Sequence, residues 1–223
     1  MSPALGEVLF GDPFAVMNTV GLVAFALVGS AKAIREKFDL FGITVVGLSM
    51  AFVGGVTRDI LVNRVPLALQ SSIEISLGLL GVGLAVGLSI MLDSPDEHLV
   101  SVLADAVGLA AFATTGATVA TDAGVSAFGV VAVATINAAG GGAFADILLD
   151  RSPFILFEDF YASCAALGGS AYWLVITAGG ADSVASAACA VVTVGIRLAA
   201  INYGWGLPEA QILGLAREKG DDR

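Results

Sequence analysis

Apolar residues run along this chain in long unbroken blocks separated by short polar punctuation. Seven blocks reach the ~20 residues a helix needs to cross ~30 Å of hydrocarbon. They cover Val16–Ile34, Phe41–Val62, Ser71–Leu92, Val100–Thr121, Ala127–Leu149, Phe160–Ala178 and Ser183–Tyr203. The connections REKFD, NRVP, DSPDEH, TDAG, DRSP and AGGAD hold most of the charge and the turn formers. The blocks do not alternate apolar with polar, so they read as helices and not as strands of a barrel. The pattern predicts an all-α integral membrane protein with seven transmembrane helices.

The blocks are not independent. Shifted by 87 residues, Val20–Leu69 falls on Val107–Leu156 without a gap, and 20 of the 50 positions are identical. Chance would give roughly five at the ~10% match rate of so biased a composition. VGLVAFALVG pairs with VGLAAFATTG, and VGGVTRDILVNRVP with GGGAFADILLDRSP. Each copy holds three spans, an odd number, so the second enters the membrane with opposite polarity. The predicted plan is a 3+3 inverted repeat plus a seventh helix, a plan used by transporters and some channels. As one transmembrane domain it divides into repeat one (16–92), repeat two (100–178), the seventh helix (183–203) and a tail (204–223).

Composition narrows the function classes. Apolar residues make up 57% of the chain and charged residues 13%, with a mean hydropathy of +0.91. Soluble domains average about 25% charged residues. A soluble enzyme, a nucleic-acid-binding module and a disordered chain are all excluded. The net charge of −10 is wrong for a partner of anionic polymers and suits a high-salt cytoplasm, although loops must be polar in any case. Cys164 and Cys189 lie inside apolar blocks, where small packing residues are expected, and the one histidine, His98, lies in an acidic linker. No zinc-type cluster, nucleophile–base pair or phosphate loop is present, so neither catalysis nor a cofactor is expected. The first 15 residues carry Glu7 and Asp12 but no basic stretch, which argues against a cleavable signal peptide.

Orientation follows from the basic residues. With the N-terminus outside, the inner loops and tail hold Lys32, Arg35, Lys37, Arg151, Arg217, Lys219 and Arg223, and the outer loops hold only Arg64. The C-terminus is therefore expected in the cytoplasm. A retinal protein is excluded, because the last span carries Arg197 and no lysine.

The candidate chemistry sits where the repeats agree. Gly54-Gly55 lies midway through the second span, and Gly140-Gly141-Gly142 stands equivalently in the fifth. Consecutive glycines weaken a helix and predict a kink or break, tolerated at membrane depth only where backbone is buried or lines a watery cavity. Two such breaks would meet near the midplane and offer carbonyls to a cation. Close helix packing through small residues is the alternative. Asp59 and Asp146 follow four residues after the glycines, either lining a pore or capping a half-helix. Arg58 has Ala145 as its counterpart, and is expected to pair with an acid or to stand at an entrance. Ser30, Thr44, Ser49, Thr57, Thr114, Thr115, Thr135 and Asn137 could give a continuous polar path, though hydroxyls often bond back to their own helix. Asn137, three residues before the glycines, is weighted as pore-facing. Glu74, Asp105 and Arg197 lie near span ends and could reach the interface. Gly78–Gly81 and Gly83–Gly87 make the third span a packing helix.

The paired VGLxAFAxxG segments, the two Gly-Gly helices followed by DIL and an R-x-P, and the seventh helix together resemble the trimeric intracellular cation (TRIC) channels and their prokaryotic relatives, over about Val16–Tyr203. The resemblance implies a homotrimer with one pore per protomer, running between the repeats along kinked second and fifth helices and conducting K⁺ and Na⁺. Read with the glycines, acids and polar positions above, the expected pathway comprises Gly54, Gly55, Gly141, Gly142, Asn137, Ser49, Thr57, Asp59, Asp146, Thr114 and Thr115, with Arg58, Arg64 and Arg151 as gating or ion-pair candidates. It implies no resident metal, permeant K⁺ or Na⁺ only, membrane lipids around the trimer, and a plasma-membrane location. The acidic, compact chain suggests an archaeal source. Ala145 departs from the arginine that often precedes this Asp. The basic pair with which animal members bind phosphoinositide has no evident counterpart. Bacterial relatives with the same repeats are also described as glycine transporters, so uptake of a small zwitterion is the rival reading.

Overall fold

The computed structural model describes residues 12–91, 99–156 and 160–206, all helix and connection. His98 and residues 207–223 of the tail lie outside them. Among the described residues seven helices follow in order: α1 Pro13–Arg35, α2 Leu40–Leu61, α3 Ser72–Met91, α4 Leu99–Asp122, α5 Ala127–Leu148, α6 Ala162–Thr177 and α7 Asp182–Tyr203. Each boundary falls within three residues of the one expected from the apolar blocks. Six helices are long and apolar enough to cross a membrane, and α6, at 16 residues, is the shorter exception.

Local chemistry explains the boundaries. The Asp12 side chain accepts from the Ala15 amide at 2.7 Å, with Pro13 in the first turn. Asp39 and Ser126, 87 residues apart, cap α2 and α5 by accepting from Gly42 and Gly129. The turns also match. Lys37 and Gly124 share a left-handed backbone, at φ 61° and 69°, as do Asn63 and Asp150, at 57° and 55°. An inverted repeat is thus written into the caps and turns as well as the spans.

Packing completes the symmetry. α1 lies against α2, α3 and α4, while α4 lies against α5, α6, α1 and α7. α1 meets α4, and α2 meets α5, across the pseudo-two-fold axis. Phe25 and its counterpart Phe112 meet edge to face at 5.1 Å, both buried. Each lies over the other repeat's glycine, Gly108 or Gly21, where a Cβ would collide with the ring. Such reciprocal contacts are the signature of a two-fold axis. Leu79, Leu80, Leu84, Leu174 and Val191 point outward, as a chain solvated by lipid requires. Gly78 and Gly81 pack inward, on Leu48 and on the Val23 carbonyl and Ala26, but Gly83 and Gly87 meet nothing among the described residues of the protomer. Only half of the expected packing stripe on α3 serves this fold.

Candidate functional site

The glycine pairs mark a helix crossing, and the expected breaks are absent. Helical hydrogen bonding runs unbroken through Leu40–Leu61 and Ala127–Leu148. A Cβ on Gly54 would strike the Asn137 carbonyl oxygen, and one on Gly141 would strike the carbonyl of Met50, the counterpart of Asn137. The first glycine of each pair therefore lets two backbones touch, a contact no side chain permits. Gly55 and Gly142 have ordinary room, with the nearest neighbours 3.8 and 3.7 Å from where an added methyl would stand. The carbonyls expected to be freed for a cation stay within the helix ladder.

Asn137 is fully buried at this crossing. Its Nδ2 donates to the Phe112 carbonyl at 2.6 Å and to Thr115 Oγ1 at 2.9 Å, tying α5 to α4. Its Oδ1 is buried without a hydrogen-bond partner among the described residues and lies beside Gly55. Such an acceptor is costly unless something polar visits it.

Two cavities are built from equivalent parts of the two repeats. One, of about 540 Å³, opens among Lys32, Ser101, Asp146, Arg151, Ser152 and Phe154, with Arg35, Asp105 and Arg197 also on its wall. The other, of about 420 Å³, is lined by Phe14, Arg58, Asp59, Arg64, Val65, Leu67 and Val119. Their walls correspond through the 87-residue shift: Phe14 with Ser101, Val119 with Lys32, Asp59 with Asp146, Arg64 with Arg151, Val65 with Ser152, Leu67 with Phe154. They are two copies of one vestibule. Behind the smaller copy, a gap of about 10 Å³ among Asn18, Gly55, Arg58, Asp59 and Glu74 leads toward the crossing.

Each vestibule is built around an aspartate in the last turn of a continuous helix. Asp59 Oδ2 accepts from the Leu67 amide at 2.9 Å, and Asp146 Oδ2 from the Phe154 amide at 3.2 Å, so each carboxylate holds the 3-10 turn eight residues on. The other oxygen takes a cation. Arg58 Nε pairs with Asp59 Oδ1 at 2.8 Å within α2. Ala145 offers nothing equivalent, and Lys32 reaches over from α1 to pair with Asp146 Oδ1 at 2.8 Å, its ammonium 4.9 Å from the centre of the Phe154 ring. Both aspartates are therefore structural and stand on a vestibule wall, rather than capping half-helices.

A second matched pair braces each vestibule. Asn18 donates to Glu74 at 2.8 Å, and at the counterpart positions Tyr161 donates to Asp105 at 3.0 Å. Arg197 pairs with Asp105 at 3.7 Å and stacks over Tyr161 at 4.6 Å. Glu74, Asp105 and Arg197 thus hold the interior together and do not simply reach for the interface.

The remaining expected residues disperse. Arg58 is paired, as one of its two expected roles required, and Arg64 and Arg151 sit on the two vestibule walls, with Arg151 bonded to Glu36. Thr115 joins Asn137, but Thr114 bonds back to Ala110 and lies against Cys189 of α7, away from the crossing. Thr57 bonds back to Val53, and the half-buried Ser49 lies on neither vestibule wall. Side-chain back-bonding satisfies the Thr57 and Thr114 hydroxyls within their own helices. Lys32, Asn18 and Tyr161 belong to the site although nothing in the local sequence around them points to it. The 87-residue shift, extended to positions 18/105 and 74/161, is the signal that finds two of the three.

The chain has relatives in both sequence and structure. A family model described as glycine transporter matches residues 15–89 and 102–177, one stretch per repeat. The chain belongs to that family. Curated relatives include a UPF0126 membrane protein of Deinococcus radiodurans, 35% identical over 71% of this chain and 74% of its own length. The UPF0126 inner membrane protein YadS of Escherichia coli K12 is 31% identical over 86% of this chain and 93% of its own. Among solved structures, a TRIC cation channel superposes with a TM-score of 0.80 at 31% identity, covering 87% of this chain and 95% of that one. The TRIC orthologue of Rhodobacter sphaeroides gives 0.80 at 26%, covering 86% and 98%. The fold of this membrane protein is that of the TRIC channels, with three-helix repeats in inverted order and a seventh helix.

Proposed function

We propose that the protein is a monovalent cation channel passing K⁺ and Na⁺, with one pathway per protomer between the two repeats. The observation that carries the reading is the pair of equivalent vestibules, one built from each repeat, together with the buried, unpartnered Asn137 Oδ1 at the helix crossing between the repeats. A carbonyl oxygen at that depth suits a partly dehydrated cation. Glycine contact at the α2–α5 crossing closes the path, and conduction requires those helices to part. The outward-facing Gly83 and Gly87 on α3 suit packing against further copies, in keeping with a homotrimer in the plasma membrane with its N-terminus outside.

Transport of a zwitterion such as glycine is the second reading. It is favoured by the name of the matching family model and by vestibules where a carboxylate and cations stand side by side, which could meet both ends of such a substrate. Purified protein in planar bilayers separates the two. Discrete K⁺ conductance steps support the channel, and saturable glycine uptake without steps supports the transporter. A detergent-corrected mass matching a monomer or dimer would sink the trimer.

A further inference from the structure

The two repeats balance their interior charge differently. In repeat two, Asp105 pairs with Arg197 at 3.7 Å and Asp146 with Lys32 at 2.8 Å, two acids against two cations. In repeat one, Asp59 is taken by Arg58 at 2.8 Å, but the second acid, Glu74, is met by the neutral amide of Asn18. The counterpart positions explain the difference. Asn18 stands where repeat two has Asp105, and Glu74 where it has Tyr161, so the acid has changed helices. Arg197, the cation that serves Asp105, comes from α7, which follows both repeats and belongs to neither. Arg35, Arg64 and Arg151 are exposed and stand outside this balance.

Glu74 also stands where a charge counts. The gap of about 10 Å³ that it lines has room for about one water. The wall of that gap includes Arg58, Asp59 and Leu67, which belong to the smaller vestibule, and Gly55 and Phe112, which belong to the crossing. Asn137 Oδ1 lies 3.9 Å from where a Cβ on Gly55 would stand. Asn18 faces Glu74 from α1, and Arg58 and Asp59 face it from α2, while Phe112 of α4 and Leu67 and Ala68 of the 3-10 turn bring no charge. One cation stands against two carboxylates, an excess of one negative charge. An ionisable group at such a place is expensive to keep and is by default functional. We propose that Glu74 is the residue that sets cation preference in this half of the pathway, its carboxylate drawing K⁺ or Na⁺ from the smaller vestibule into the gap and on toward Asn137. The hydrogen bond from Asn18 fixes the carboxylate without neutralising it. Arg58 cannot cancel it, because Asp59 already holds that charge. In repeat two a cation meets only acids that are already matched.

The inference rests on the channel reading, and single-channel K⁺ currents in planar bilayers test it. E74Q keeps an oxygen to accept from Asn18 and loses only the charge, so the protein should fold as before while current falls roughly tenfold. The parent should also lose current when one chamber, and not the other, is taken from about pH 7.5 to about pH 5, since a proton on Glu74 does what E74Q does. E74Q should lack that one-sided response. N18D/E74Q moves the carboxylate to α1, the arrangement of repeat two, and leaves the glutamine amide to donate to it. Current and acid response should both return, which a purely structural role for Glu74 would not produce. Parental current through E74Q, an acid response that survives in E74Q, or no recovery in N18D/E74Q would overturn the assignment. If E74Q does not fold, the parent decides, and a current indifferent to acid on either side counts against Glu74. A parent without K⁺ current would sink the channel reading and this inference with it. Parental current left unchanged by E74Q would sink this inference alone.

Discussion

The Cα of Gly54 rests against the backbone carbonyl of Asn137, where a single added methyl would collide with the oxygen. Gly141 and Met50 repeat the contact across the pseudo-two-fold axis. The alanine variants should therefore split within each pair. G54A and G141A force two backbones apart, and overpacking of ~1–3 kcal/mol outweighs the ~1 kcal/mol gained in helix propensity. G55A and G142A meet no such obstacle and should be neutral or stabilising by up to ~1 kcal/mol. Denaturant titration of the purified protein checks this, and equal effects at all four positions would remove the crossing from the account.

Arg58 and Asp59 are 3% and 6% exposed in their side chains, so solvent screens their bond little. R58M alone strands a carboxylate and should destabilise the fold by ~3 kcal/mol. R58M/D59N removes both charges and should recover part of that loss, with Asn still able to accept from the Leu67 amide. Thermal unfolding in detergent compares R58M, D59N and R58M/D59N. A double variant worse than the sum of the two single ones would contradict the pairing.

N137L keeps roughly the shape of the side chain but takes away the crossing's polar oxygen. Flux in proteoliposomes should fall by about an order of magnitude or more, the scale of losing one or two good polar contacts with a passing ion. Because the Phe112 and Thr115 partners are also lost, a modest fall of ~1–2 kcal/mol in stability should accompany it. Full flux through N137L would place the pathway elsewhere.

Orientation is testable in intact cells. A cysteine at Ser152, in the C164A/C189A background, should label only from the cytoplasmic side, and one at Asp122 only from outside. The reverse pattern would overturn the inference from the basic residues.

Much of the architecture was legible in the linear chain. Apolar blocks of bilayer length have one solution in lipid, where every backbone amide must be paired inside its own helix, so the seven elements and their ends follow from sequence. The 87-residue repeat also predicted the inverted symmetry, because an odd number of spans leaves no other. It picked out Gly54, Gly141, Asp59 and Asp146 as candidates, and Asn137 stood out as a polar residue three positions before the glycines. What it could not assign was their roles. A Gly-Gly pair reads alike whether a helix breaks or another backbone presses on it, and only the position of the Asn137 and Met50 carbonyls decides. Thr114 and Thr115 are neighbours in sequence but point to different helices, one toward Cys189 and the other toward Asn137. The partner of Asp146 lies 114 residues away on α1, at a position where the other repeat has valine. Local pattern fixes what each residue can do with its own helix. Charge pairing and close approach depend on which helices the fold sets side by side, and that was settled only in three dimensions.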